Sequence, residues 1–274
     1  MISYLVNEEE ADGMADRLYR KARAVFRCSP IIKELKASQN PTYVTVTFDD
    51  GYKGVYDNAY PLMKRMGYHG VCFVITSKVG NMFEGKRCMD KNMLQELNDV
   101  RWEIASHTKS HVYLDTITRA EAKCELLESK EYIENNINDS RPVVSMSYPG
   151  SKYCYLASLF YKFCRIGGVA YTNKTWNMHP SDKIPATSIT DKTHKYVRSY
   201  IDHAKKEGES IVFYFHNVTD DGTPYDITPK HFSEVLNTIR SRDVEVKTFK
   251  ETLRFTRREY ETCEGKLPET KNPL

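Results

Sequence analysis

The sequence predicts an α/β protein: a parallel sheet with its helices on the outside. Two observations carry that class. Apolar, β-rich stretches alternate with amphipathic helical patterns about seven times along the chain, which is the signature of repeated strand–helix–strand units. The strands also read as continuous apolar runs, as expected when both faces of a sheet are covered. Two closures fit this pattern, an open doubly wound sheet and a (β/α) barrel. No G-x-G-x-x-G follows the first strand, so the main support for a dinucleotide fold is missing. Barrels gather functional residues from the C-terminal ends of several strands, and this chain places its polar residues there.

Taken in order, a polar amphipathic segment over 8–36 precedes Pro41 and reads as an N-terminal helical extension, residues 1–40. Strands are expected over 43–48, 71–76, 102–106, 143–148, 168–171, 211–216 and 244–249. Helices are expected between them, over 52–66, 90–100, 119–136, 156–166, 193–207, 229–241 and 250–260. Thr118 with Glu121 forms a capping box that opens the longest helix. Gly67, Gly167 and Gly208 fall where helices should stop. The barrel domain is expected over 41–261, and residues 262–274 read as a flexible tail.

Composition excludes several classes. Hydrophobic residues at 40% and charged residues at 28% are ordinary for a soluble globular chain. A net charge of +3 with scattered Lys and Arg gives no nucleic-acid footprint. No stretch approaches the roughly 20 apolar residues of a membrane span. The start, "MISYLVNEEEADG", lacks a basic n-region and a long apolar core. Seven cysteines without a C-x-x-C pair point to reduced thiols rather than a disulfide framework. A cytoplasmic location is expected, although a secreted chain cleaved of its leader would look the same.

The polar signals sit at strand ends. "TFDDG" closes the first strand with Asp49 and Asp50, and "ASHTKSH" closes the third with His107 and His111. "SYPG" closes the fourth with Tyr148 and Gly150, and "FYFHN" closes the strand near residue 211 with His216. His107 and His111 are four apart, so a helical turn would point both imidazoles the same way. Two histidines with a carboxylate suit a divalent metal with open positions.

With "TFDDG" before "HTKSH", and "SYPG" and "FYFHN" following in order, the chain resembles the polysaccharide deacetylase family, the NodB-homology domain of carbohydrate esterase family four. The resemblance spans about residues 42–253, and "PKHFSEVLNTIRSRDVEVKTFKE" is similar to the family's closing helix and strand. It implies a distorted (β/α) barrel of seven to eight strands and metal-dependent removal of N-acetyl groups from amino sugars. Carried over, Asp50, His107 and His111 hold Zn²⁺, or another divalent ion such as Co²⁺, Ni²⁺ or Mn²⁺. Asp49 becomes the general base and His216 the general acid, and the Gly150 N–H, beside Tyr148, serves the oxyanion. The cation makes adjacent carboxylates tolerable by offsetting their repulsion.

The chain departs from the family pattern in three places. Gly150 and Ser151 follow the motif proline where an aromatic residue is common. Met146-Ser147 stands where many members have arginine, and Ile184-Pro185-Ala186 replaces a Leu-Pro-Arg. Arg141 and Arg198 are the candidates to steady the base; Asp182 and Asp191 are the candidates to pair with His216. Tyr52, Tyr148, Tyr153, Tyr155 and Tyr225 are candidates to stack on sugar rings. The second Asp-Asp-Gly, 220–222, follows "HNVT" rather than an apolar strand and reads as a rim loop.

The resemblance thus implies an N-acetylated glycan as partner; with no secretion signal in the sequence as written, a cytoplasmic glycan precursor is expected in preference to a finished wall polymer. The alternatives are a related C–N hydrolase acting on a small molecule or formamido sugar, and a carbohydrate-binding relative that has lost activity.

Overall fold

The computed structural model describes residues 41–167, 175–177 and 179–253. The expected helical extension 1–40, the tail 262–274, the whole strand expected at 168–171 and most of the helix expected over 250–260 lie outside these residues. The compact unit begins at Pro41.

Alternation along the first strand sets the architecture. In β1 (Tyr43–Phe48), Val44, Val46 and Phe48 join the core beneath the outer helices, which leaves Thr45, Thr47 and then Asp49 on the opposite face. The remaining strands are β2 (Val71–Val74), the hairpin pair β3 (Met82–Phe83) and β4 (Lys86–Arg87), β5 (Glu103–Ser106), β6 (Ser145–Ser147), β7 (Phe163–Gly167), β8 (Ser181–Ser188), β9 (Ile211–Phe215) and β10 (Glu245–Val246). Parallel pairing runs β1-β2-β5-β6-β7-β8-β9 and returns to β1, so seven strands close a barrel. Short β10 pairs with the first two residues of β1, whose last two pair with β2.

Two apolar layers follow from closure. The interior layer holds Val71, Phe73, Ala105, Phe163, Ile184, Ala186 and Val212, with Phe249 stacked on Phe163 at 5.6 Å. The outer layer lies under the helices, where Phe48 stacks on Trp102 at 5.6 Å and on Phe215 at 5.5 Å. Aromatic pairs of this kind add about 0.5–1.5 kcal/mol beyond the area they bury.

The helices Arg119–Asn136 and Pro229–Ser241 begin and end where the sequence places them. The first opens on the Thr118–Glu121 capping box, and the second on Thr228, whose hydroxyl accepts from the His231 N–H, with Pro229 at the first position. Elsewhere the expectations need correction. The helix expected over 156–166 is only Ala157–Phe160, because residues 163–167 form β7. Gly167 therefore ends a strand, not a helix. β8 and the β3–β4 hairpin were not expected. Among the described residues no helix is long and apolar enough to cross a membrane.

Candidate metal and catalytic site

Strand parity brings the polar residues together. The inward series Thr45-Thr47-Asp49 on β1 is matched by Ala105-His107 on β5, Ser145-Ser147 on β6, Phe163-Arg165 on β7 and Val212-Tyr214-His216 on β9. Each series is small or apolar low in the barrel and polar at the C-terminal rim, as barrels build their sites.

Asp49 and Asp50 part company at the turn. The Asp49 N–H donates to the Phe215 carbonyl at 2.9 Å, continuing the β1–β9 ladder. Asp50 then takes a left-handed φ of 68°, followed by Gly51 at 75°, which sends consecutive side chains different ways. Aspartate tolerates that conformation better than most residues. The hairpin secures the turn: the Met89 N–H donates to the Gly51 carbonyl at 2.9 Å, and Tyr52 bridges to Cys88.

The Asp50 Oδ1 lies 3.5 Å from both the His107 Nε2 and the His111 Nε2. The three ligand atoms fall within 4.8 Å of one another. The helical turn expected for the histidines is absent: residues 107–111 form a loop, with Thr108 and His111 both at φ 65°. Side chains impose its shape. The Ser106 Oγ accepts from the Thr108 N–H, the Thr108 Oγ1 accepts from the His111 N–H, and Glu125 accepts from both the Ser110 N–H and the Ser110 hydroxyl. Phe83 of the hairpin meets the His111 ring edge-on at 5.0 Å.

The triad fits a divalent cation. The His107 Nδ1–H donates to the Ser147 carbonyl at 2.9 Å, which fixes the tautomer and leaves the Nε2 lone pair facing Asp50. Burial holds the His107 imidazole down to about 3 and also lowers His111, so both are neutral ligands at physiological pH. Burial, then the neighbouring Asp49 charge, raises the Asp50 carboxyl well above its ordinary range. Its Oδ1 is buried with no hydrogen-bond partner, an arrangement that a bound cation would relieve.

Asp49 is held differently. Its Oδ2 accepts from the Arg165 Nη2, and the same guanidinium nitrogen donates to the Ser147 Oγ. Arg165 is 1% exposed and its guanidinium sits 4.6 Å from the Tyr214 ring centroid and 5.5 Å from that of Phe73. Burial pushes the Asp49 carboxyl upward, but Arg165, with His107 and His216, outweighs it and leaves the group below its ordinary value. The Asp49 Oδ1 remains buried without a hydrogen-bond partner. One oxygen is clamped and the other is left without a partner.

Arg165 therefore supplies the guanidinium that neither expected candidate provides. Arg141 donates to the Asn138 carbonyl at 3.0 Å and pairs with the exposed Asp139 at 3.7 Å, and Arg198 is exposed on its helix. Arg165 escaped notice because residues 156–166 read as helix. The available signal was an arginine inside "FCRIG", one strand away from the position where the motif normally carries it.

His216 ends β9, which is hydrogen-bonded to β1, so it sits beside Asp49 and not across the barrel. Burial lowers its imidazole, with Asp49 and Asp226 opposing; its Nδ1 is buried without a partner. The two carboxylates considered as its partner are occupied elsewhere. Asp182 accepts from the Tyr153 hydroxyl at 2.8 Å, and Asp191 accepts from His231 at 2.7 Å. The nearby carboxylate is Asp226, which also pairs with Lys86 at 2.6 Å and so ties the hairpin to the loop after β9.

Gly150 adopts φ 56° in the turn after β6, and a Cβ there would lie 2.6 Å from the Tyr113 ring. Tyr148 is 2% exposed, and its hydroxyl donates to the Asp182 carbonyl at 3.0 Å; its ring supports the rim instead of offering a face to a sugar. Tyr52 is likewise buried. The exposed rings by the site are Tyr225, 6.0 Å from His216, and Tyr113, which the sequence reading passed over. Residues 220–225 form an exposed rim loop.

Residues 36–164 match the family described as polysaccharide deacetylase. YxkH of Bacillus subtilis (strain 168) is 30% identical over 110 residues, 40% of this chain and 37% of that protein. The poly-β-1,6-N-acetyl-D-glucosamine N-deacetylase of Staphylococcus epidermidis is 27% identical over 150 residues, 54% of this chain and 51% of that one. The chain thus spans about half or less of the length of these relatives. A family 4 acetyl xylan esterase from Clostridium thermocellum, solved with a cobalt ion, shares the fold, with a TM-score of 0.54 at 14% identity over 78% of this chain and 91% of that one.

Proposed function

Residues 36–164 belong to the polysaccharide deacetylase family, and from that premise we propose that the chain hydrolyses N-acetyl groups of amino sugars in a glycan or glycan precursor, with a divalent metal, Zn²⁺ by preference, held by Asp50, His107 and His111. The observation that carries this reading is Asp49: one oxygen is fixed by Arg165 while the other lies unpartnered next to the Asp50–His107–His111 cluster.

The ion, when bound, supplies Lewis acidity, polarising the acetamide carbonyl and making water a stronger acid. The residues of the chain do the rest. The Asp49 Oδ1 takes a proton from the water that attacks the carbonyl carbon. The Gly150 N–H donates to the oxygen on which charge develops. As the C–N bond breaks, His216 gives a proton to the departing nitrogen, and the products are acetate and a free amino sugar. Arg165 neither binds nor reacts; it keeps Asp49 ionised and oriented.

Two features favour an active enzyme over a binding relative. The guanidinium lacking from its usual place is replaced from β7, and the base and acid positions both remain on the inward face. The N-deacetylase relative favours an amide substrate, while the esterase that shares the fold makes acetylated xylan the natural comparison. A free-amine assay over N-acetylated oligosaccharides, run beside acetate release from acetylated xylan, tests the reading. Amine release that depends on added zinc supports it. Acetate release from xylan alone would replace it with an esterase.

A further inference from the structure

A second cluster of ligating side chains lies away from the catalytic residues, and its construction repeats that of the first. His194 follows the end of β8, while His231 and Glu234 share one face of the helix Pro229–Ser241. Their ligand atoms lie within 4.8 Å of one another.

Asp191 aims both imidazoles. Its backbone carbonyl accepts from the His194 Nδ1–H at 2.8 Å, and its Oδ1 accepts from the His231 Nδ1–H at 2.7 Å. The same Oδ1 accepts from the Thr228 N–H and hydroxyl, at 2.9 and 3.1 Å, so Asp191 is itself held in place. With Nδ1 committed as donor, each neutral ring presents an Nε2 lone pair. The His194 Nε2 faces the Glu234 Oε2 at 3.4 Å, and the two rings stack at 4.0 Å and 13°. A lone pair facing a carboxylate at that distance is repulsive unless a proton or a cation lies between them. In the Asp50–His107–His111 cluster the equivalent distances are 2.9 Å to the Ser147 carbonyl and 3.5 Å to Asp50.

We propose that His194, His231 and Glu234 form a second divalent-metal site, of the His₂-carboxylate type that takes zinc with water completing the shell. A metal there joins the turn after β8 to the helix after β9. That turn also donates the Asp191 N–H to the Asp226 carbonyl at 3.4 Å, so the clasp braces the rim next to the carboxylate that faces His216. Its role is structural, and it does not depend on the reaction proposed above.

The test is a zinc titration of the full chain, stripped with a chelator and followed by competition with a chromophoric chelator. Wild type is expected to take two equivalents, and His107→Ala and Glu234→Gln one each. Glu234 is half exposed, so its variant is expected to fold, and the amide keeps its shape. Zinc alone is expected to raise the melting temperature of His107→Ala, but not that of His107→Ala combined with Glu234→Gln. Asp191→Asn is expected to weaken the second equivalent by about 10–100-fold. No zinc bound by His107→Ala, or two equivalents in Glu234→Gln, overturns the proposal, and so does a zinc-induced shift that survives in the double variant. Deacetylation by Glu234→Gln at saturating zinc is expected to match wild type. Absence of activity in both would count against the proposed function and leave the stoichiometry readable.

Discussion

The Arg165 Nη2 donates to the Asp49 Oδ2 through the barrel interior, linking β7 to the end of β1. Both residues are buried, and the guanidinium lies between the Tyr214 and Phe73 rings. That placement serves two ends at once. It fixes the plane of the Asp49 carboxylate, and it balances a charge that burial alone would neutralise.

Arg165→Met separates those effects from metal binding. Without the guanidinium, burial dominates and the Asp49 carboxyl rises, so the acid limb of the kcat/KM profile moves to higher pH. The loss of a fixed orientation is expected to cost about 10²-fold in kcat. An uncompensated buried carboxylate also costs about 3–5 kcal/mol of stability. Metal content is expected to stay at the wild-type level. A pH profile with an unmoved acid limb would show that Arg165 only packs.

The adjacent aspartates are distinguished by metal content. Asp49→Asn is expected to retain the ion and lose nearly all turnover, because an amide cannot accept the proton. Asp50→Asn is expected to lose the ion, since its Oδ1 is the atom shared by both histidines. Elemental analysis of the two variants reads the difference directly; equal loss in both would refute the division.

What the sequence showed, and what it hid, follows from how local each signal was. β1 and the two long helices were legible because a strand end, a capping box and an N-terminal proline are short-range features. The barrel followed from the repeated alternation. β7 was hidden because residues 156–160 start a helical pattern that "KFCRIG" continues in sequence, and only sheet closure turns it into a strand. β8 was hidden by Lys183 and Pro185, although Asp182, Ile184 and Ala186 are buried in the alternation that a strand requires. Losing β7 meant losing Arg165. The histidine pair was found for a partly mistaken reason, since two left-handed residues and Glu125, not a helical turn, aim the rings.

Gly150→Ala tests the turn after β6. A left-handed alanine costs about 1–2 kcal/mol, and its Cβ would stand 2.6 Å from the Tyr113 ring. Tyr113 is half exposed, so it is expected to swing aside. Tyr113→Ala combined with Gly150→Ala should then recover the steric share of the loss and none of the backbone share. Chemical denaturation of the two single variants and the double one measures both; full recovery in the double variant would mean that the φ of 56° carries no cost.

His216 is the residue for which packing and catalysis make opposed forecasts. As general acid it contributes about 10²–10⁴-fold, so His216→Ala is expected to lower kcat by that factor, keep the metal and flatten the alkaline limb of the pH profile. Its imidazole is lowered by burial, which gives stability a sign of its own. The unfolded chain binds the proton more readily than the fold does, so stability is present above the ordinary imidazole value of about 6.5 and is lost as pH falls through it. His216→Ala removes that term, and its melting temperature is expected to fall less than that of wild type between about pH 7 and pH 5. Because the Asp49 charge is the strongest influence favouring the imidazolium, Asp49→Asn is expected to depress His216 further and steepen the same decline. Wild-type turnover per folded molecule in His216→Ala, with only its melting temperature reduced, would remove His216 from the chemistry and leave it a packed rim histidine.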